Sequence, residues 1–193
     1  MGFTIPSSKN KLYLSGCDWV ISALDYLMKK TTCAGNMSQV VLVLDRVIER
    51  SEMQDRLERF LNEFPVTHGS ISRDVNLCPY WRMHEKTEND LNFTSHSIKD
   101  PSEDALMNML GECANTPFIN DSEHLAFHLI QIGERNSCLA MTFDHRLLDA
   151  RGAETFIKLF QQYLKSGNDS AISKGIPLAM PAHLSEWMKK FIS

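Results

Sequence analysis

The stretch Ser137-Cys-Leu-Ala-Met-Thr-Phe-Asp144-His145-Arg146-Leu-Leu-Asp149-Ala-Arg151-Gly152-Ala-Glu-Thr-Phe-Ile-Lys-Leu-Phe160 changes its hydrophobic period partway along. Cys138, Leu139, Ala140, Met141 and Phe143 follow one another with almost no polar interruption, the pattern of a strand covered on both faces. From Ala153 the spacing becomes helical: Ala153, Phe156, Ile157, Phe160 and Leu164 fall on one stripe, with Lys158, Gln161 and Lys165 opposite. Between strand and helix lies a polar elbow carrying His145, Asp149 and Gly152. A histidine at the exit of a buried strand is held by a rigid scaffold while its ring can still reach a cleft. Imidazole titrates near neutral pH, which makes His145 a candidate proton carrier. Asp149 has an ordinary structural use available, as N-cap of the helix that follows.

Immediately upstream, residues 124 to 132 form an apolar, alternating run joined to the strand by Gly133-Glu-Arg-Asn136, a turn-rich quartet, so a hairpin is expected. His124 and His128 stand four apart, which on a strand puts them on one face but about 13 Å apart along it, too far to share a metal ion. They are expected to face solvent or a helix layer. Pro101-Ser102-Glu103-Asp104 opens a helix with proline and acids in its first turn and Leu106, Met109 and Leu110 inward. Residues 75 to 83 and 91 to 98 read as strands, with the charged stretch 84 to 90 as the turn between them and His84 and His96 exposed.

Nearer the start, residues 38 to 45 predict a strand from their β-branched run. Ser51 is the expected N-cap of a helix whose stripe is Met53, Leu57, Phe60, Leu61 and Phe64, stopped by Pro65. Trp19, Val20, Ala23, Leu24, Leu27 and Met28 predict an amphipathic helix over 18 to 30. Beyond Leu164, Ser166-Gly-Asn-Asp-Ser170 and the proline-bounded stretch 175 to 181 read as breaks before a terminal helix at 181 to 192. The expected organisation is one lobe over 1–165, then a connector and C-terminal helix over 166–193.

With 193 residues and a net charge of −4, the chain suits a single core and lacks the basic face of a nucleic-acid binder. Five widely spaced cysteines with no Cys-x-x-Cys indicate neither a disulfide framework nor a zinc site, and reduced thiols are expected. The N-terminus lacks a basic region followed by an apolar run, and Val40 to Leu44 is far too short to span a bilayer, so a cytoplasmic protein without a membrane span is expected.

His145-x-x-x-Asp149-x-x-Gly152 resembles the His-His-x-x-x-Asp-Gly signature of the chloramphenicol acetyltransferase-like superfamily, which includes nonribosomal peptide condensation domains and coenzyme A-dependent acyltransferases. Phe143-Asp144-His145-Arg146 is also similar to the Asp-His-Arg-x-x-Asp-Gly stretch of the dihydrolipoyl acyltransferases. Asp144 stands where condensation domains have their first histidine, and Ala150 where a glycine is usual, with the first glycine two positions later at Gly152. If that position needed a positive φ, Ala150 would be strained.

The resemblance implies an α/β (α+β) two-layer sandwich, a mixed sheet covered by helices, matching the amino-terminal lobe of the two-lobed members. It implies that His145 is a general base, taking a proton from a hydroxyl, amine or thiol as that group attacks an acyl thioester. Asp149 is then a structural residue paired with an arginine, for which Arg73 is the nearest candidate, and Gly152 belongs to the same loop. The implied co-substrates are acyl-coenzyme A or a phosphopantetheinyl carrier protein, together with a small-molecule acceptor; no permanently bound cofactor and no metal are expected. Because family members build the site between two lobes or two subunits, a homo-oligomer or a separate second lobe is implied. The other reading is a non-catalytic condensation-like module that binds or scaffolds.

Overall fold

In the computed structural model, residues 11–31, 35–83, 91–118, 120 and 123–166 are described. The predicted hairpin forms from β6 (Leu125–Ile132) and β7 (Asn136–Asp144), paired antiparallel from Leu125 opposite Phe143 to Ile132 opposite Asn136. Gly133 makes the turn at a φ of +60°, a conformation in which a side chain would be strained. Outside β7 runs β2 (Met37–Leu44), antiparallel, with Met37 opposite Asp144; outside β6 runs β5 (Asn92–Ile98), parallel. The sheet order is therefore β2-β7-β6-β5. With a strand on each side and helices above and below, β7 is buried from Ser137 to Asp144, as its unbroken apolar run requires.

The period of two sends alternate residues of this sheet to two different cores. Toward one face, Phe127, Leu129, Leu139, Met141 and Phe143 meet α2 (Arg50–Asn62) and α4 (Ala150–Ser166), whose stripes contribute Met53, Leu57, Phe60, Phe156 and Phe160. Toward the other, Ile130, Cys138 and Ala140 meet Leu110 and Cys113 of α3 (Glu103–Ala114). The mixed sheet covered by helices is thus as expected, with α3 on the face opposite α2 and α4.

A second, smaller sheet departs from the sequence reading. It has the order β1-β4-β3, from β1 (Lys11–Tyr13), β3 (Ser70–Arg73) and β4 (Pro79–Arg82). Residues 75 to 78 are not strand: the Asp74 carboxylate accepts from the backbone N–H groups of Asn76 and Cys78, both at 2.9 Å, and Leu77 sits at a φ of +62°. A short carboxylate that satisfies backbone donors two and four residues on makes a turn that outcompetes strand continuation. β4 and β5 accordingly lie in different sheets, so 84 to 90, outside the described residues, does not join hairpin partners.

Two helix details also differ. The N-cap of α2 is Glu49, with no side-chain hydrogen bond, and Ser51 lies inside the helix. The helix α1 (Gly16–Met28) begins with a capping box, in which Asp18 N–H donates to Ser15 Oγ and Ser15 N–H to Asp18 Oδ2. Its apolar stripe is largely uncovered, with Trp19, Val20, Leu24, Leu27 and Met28 exposed. Buried Asp25 ties the end of α1 to the segment after it, accepting from Asn36 N–H at 3.0 Å, and pairs with Lys29 one turn on at 2.9 Å. The terminal helix expected over 181 to 192 lies outside the described residues, as does the connector after Ser166.

Phe60 is fully buried at the centre of the larger core, its ring 5.0 to 5.8 Å from those of Phe64, Phe156, Phe160 and Tyr163. Phe60→Ala is expected to lower the unfolding free energy by about 3–5 kcal/mol. A urea titration followed by circular dichroism checks this; a loss under about 1 kcal/mol would mean that α2 and α4 do not pack as described.

Candidate active site

His145 leaves the end of β7, at the margin where the sheet gives way to the elbow. Its ring is half-buried and stands edge-on to Phe143, with centroids 5.5 Å apart. No hydrogen bond to either ring nitrogen occurs among the described residues, so one nitrogen can accept a proton without first breaking an internal bond.

The backbone that carries this ring is fixed from the preceding residue. Asp144 is buried, and its carboxylate accepts from Arg146 N–H at 2.8 Å and from Arg146 Nε at 2.8 and 3.0 Å; Arg146 Nη2 also donates to Oδ2. On the other side, His124 presents Nδ1 to Asp144 Oδ2 at 3.5 Å, donates Nε2–H to the Gly69 carbonyl at 3.0 Å, and packs edge-on against Trp81. Burial by itself would raise the Asp144 pKa. The hydrogen bonds from His124 and Arg146, with the guanidinium charge, outweigh it and hold the carboxyl well below the usual carboxylate range. Leu147 and Leu148 N–H both donate to the Asp144 carbonyl, which completes the elbow.

Asp149 takes the capping role: Gly152 N–H donates to its Oδ1 at 2.6 Å, and Ala153 N–H to its carbonyl at 2.9 Å. Gly152 has little room for a side chain, since a Cβ there would lie 3.0 Å from Asp149 Oδ1. Ala150 is the first helical residue of α4 and does not have a positive φ, so this elbow needs no glycine at that position. Arg73 does not join Asp149. It lies at the end of β3 with its guanidinium over the Trp19 ring, 5.4 Å from the centroid, so the structure joins Asp149 to Gly152 and leaves Arg73 apart.

Sequence reasoning missed the role of His124, which is buried at 1% exposure. The signal was present in the hairpin register, because a turn at 133 to 135 puts residue 124 opposite 144 and so a histidine beside a buried aspartate. His128 faces a helix layer, as expected, while His96, expected to be exposed, is half-buried. His128 is buried under α3 and bonded through Nδ1 to Thr94 Oγ1 at 2.7 Å, while His96 is half-buried and contacts the same hydroxyl through Nε2 at 3.0 Å. Burial, and secondarily the neighbouring His96, push the His128 pKa down to about 4.

Asp144→Asn is expected to cost about 3 kcal/mol of stability at neutral pH by stripping a buried ion pair of its anion. The carboxyl titrates lower folded than unfolded, so its contribution is complete above the ordinary aspartate value of about 4 and is lost as pH falls below it. Wild type and variant should therefore converge in acid; parallel stability curves there would refute the assignment. For His128 the fold favours the neutral ring. Its contribution is complete above about pH 6.5 and is lost as pH falls toward about 4. His128→Gln is expected to flatten the stability curve across that interval, an effect read from denaturation midpoints at a series of pH values.

No family model matches the sequence, and no curated protein matches it either. Solved structures do match. The first condensation domain of the calcium-dependent antibiotic synthetase, in complex with a substrate analogue, superposes with a TM-score of 0.71 at 12% identity, covering 95% of this chain and 44% of that one. A starter condensation domain of rhizomide synthetase in complex with C8-CoA gives 0.67 at 14% identity, covering 96% and 43%. The tallysomycin biosynthesis protein TlmII gives 0.64 at 17%, covering 80% and 38%. The chain spans less than half the length of these proteins. No helix among the described residues is long and apolar enough to cross a membrane. The fold is that of one lobe of a condensation domain, of the chloramphenicol acetyltransferase-like type.

Proposed function

We propose that the chain is an acyltransferase lobe in which His145 is the general base. The observation that carries this reading is the state of the ring: half-buried, braced against Phe143, free of hydrogen bonds among the described residues, and mounted on an elbow locked by Asp144. A purely structural histidine would be expected to be bonded inward, as His124 is.

In this reading an acceptor hydroxyl, amine or thiol gives its proton to the imidazole as it attacks the carbonyl of an acyl thioester. A bond forms from acceptor to acyl carbon, the carbon–sulfur bond breaks, and the imidazolium returns the proton to the departing thiolate. The donor is an acyl-coenzyme A or a phosphopantetheinyl carrier protein; the presence of C8-CoA in a structural neighbour supports the first. Asp149 and Gly152 hold the start of α4 and thereby the distal end of the elbow. The other wall of the site comes from a second copy of the chain or a separate lobe, a reading supported by the fraction of the condensation domains that the chain spans.

A non-catalytic binding module is the second reading, favoured by the separation of Arg73 from Asp149. The two are separated by measuring native mass by light scattering and then following acyl transfer from octanoyl-coenzyme A to a panel of amine, hydroxyl and thiol acceptors by mass spectrometry. His145→Ala is expected to keep the fold and lose roughly 10²–10⁴-fold in rate. Equal rates in wild type and variant would leave the binding module as the reading.

A further inference from the structure

Away from the elbow, on the α3 face of the main sheet, three donor groups from three elements converge. His96 lies on the edge strand β5, His128 on β6 and Cys113 on α3, and one ligand atom from each lies within 4.8 Å of the others. The parallel pairing that puts Thr94 opposite His128 and His96 opposite Ile130 sets the two rings side by side, 5.9 Å between centroids. Cys113 Sγ stands 4.0 Å from His96 Nε2.

The protein alone does not satisfy this cluster. Thr94 Oγ1 bridges the two imidazoles, as donor to one and acceptor from the other, at 3.0 Å from His96 Nε2 and 2.7 Å from His128 Nδ1. His128 Nε2 is buried, with no hydrogen-bond partner among the described residues. An unmatched buried polar atom forfeits its hydration without replacement, so a native site that keeps one calls for a missing partner. One nitrogen oriented by a neighbouring side chain and the other left over is the arrangement in which metal-ligating histidines are held.

We propose that His96, His128 and Cys113 form a binding site for one zinc ion, with Thr94 as the residue that orients the His128 ring. Two imidazoles and a thiolate are a nitrogen and sulfur donor set suited to Zn²⁺, whose ligand bonds of about 2.0–2.3 Å place tetrahedral neighbours about 3.5 Å apart. The observed separations of up to 4.8 Å need a contraction of about 1 Å, within reach of side-chain rotation. Three protein donors leave the fourth position to water or an exogenous ligand. On binding, the Cys113 S–H bond is replaced by a sulfur–zinc bond and the proton goes to solvent, with no change of oxidation state. His96 is half-buried on an edge strand, so the ion has a route in from solvent.

The site stands apart from the acyl-transfer reading, and its test does not use activity. Untagged full-length chain, stripped with a chelator, is titrated with Zn²⁺ by calorimetry and with Co²⁺ by absorption spectroscopy. One equivalent of zinc is expected to bind, and the Co²⁺ form is expected to show a thiolate charge-transfer band. Cys113→Ser should abolish that band and weaken zinc binding by about 100-fold or more, while Thr94→Val should weaken it by about 10–100-fold. Absence of stoichiometric binding, or binding unaltered by Cys113→Ser, would overturn the proposal. Because serine is close to cysteine in size, Cys113→Ser keeps the test available if His128→Gln does not fold.

Discussion

The arrangement of the elbow depends on one buried carboxylate. Asp144 sits where β7 ends, flanked by Arg146 two residues on and by His124 directly opposite in the hairpin. An isolated carboxylate in that position would be expensive to bury, and the fixed fork of the guanidinium offsets the cost while turning the chain away from the strand direction. His124 extends the tie to the Gly69 carbonyl, so the residues leading into the small sheet, the hairpin and the elbow meet at one group. The direction in which His145 leaves the sheet follows from this tie more than from anything His145 itself contacts.

The main sheet serves two unrelated environments through strict alternation of side chains. Odd-numbered residues of β6 and β7 enter an aromatic core built by α2 and α4, while even-numbered ones face α3. The second face is unusual in chemical content, mixing Ile130 and Ala140 with Cys113, Cys138 and His128. Burial pushes the Cys138 thiol up to about 11 and that of Cys113 upward as well, so both are protonated at neutral pH in the absence of a cation.

Legibility in the sequence followed the range of the interactions. The hairpin, β2, α2, α3 and α4 were readable because each is encoded by its own period and bounded by Gly133, Pro65 or Pro101. The helix α1 was readable as a helix, but its stripe does not say what covers it, and here most of it is uncovered. The strand expected before Pro79 failed at Asp74, where a side chain competes with the ladder for backbone donors. Of the candidate site, the places of His145 after β7 and of Asp149 at the start of α4 were legible from the change of period, whereas the separation of Arg73 from Asp149 and the meeting of Cys113 with two histidines depend on how separate elements are placed in space. His96 and His128 come together through a parallel pairing with α3 between its strands, a long-range choice that no local pattern encodes.

The strand order also constrains how the molecule is made. Among the described residues, both outer strands of the main sheet, β2 and β5, pair only with the hairpin, and the hairpin is later in the chain than either. As the polypeptide emerges from the ribosome, β2 waits for a partner about a hundred residues downstream, while its apolar residues and those of α2 have no sheet to close on. The hairpin's contacts are local, and the earlier segments can pair with it only once its second strand is made. The last residue of that strand is Asp144, so the carboxylate that locks the elbow arrives with the segment that completes the sheet.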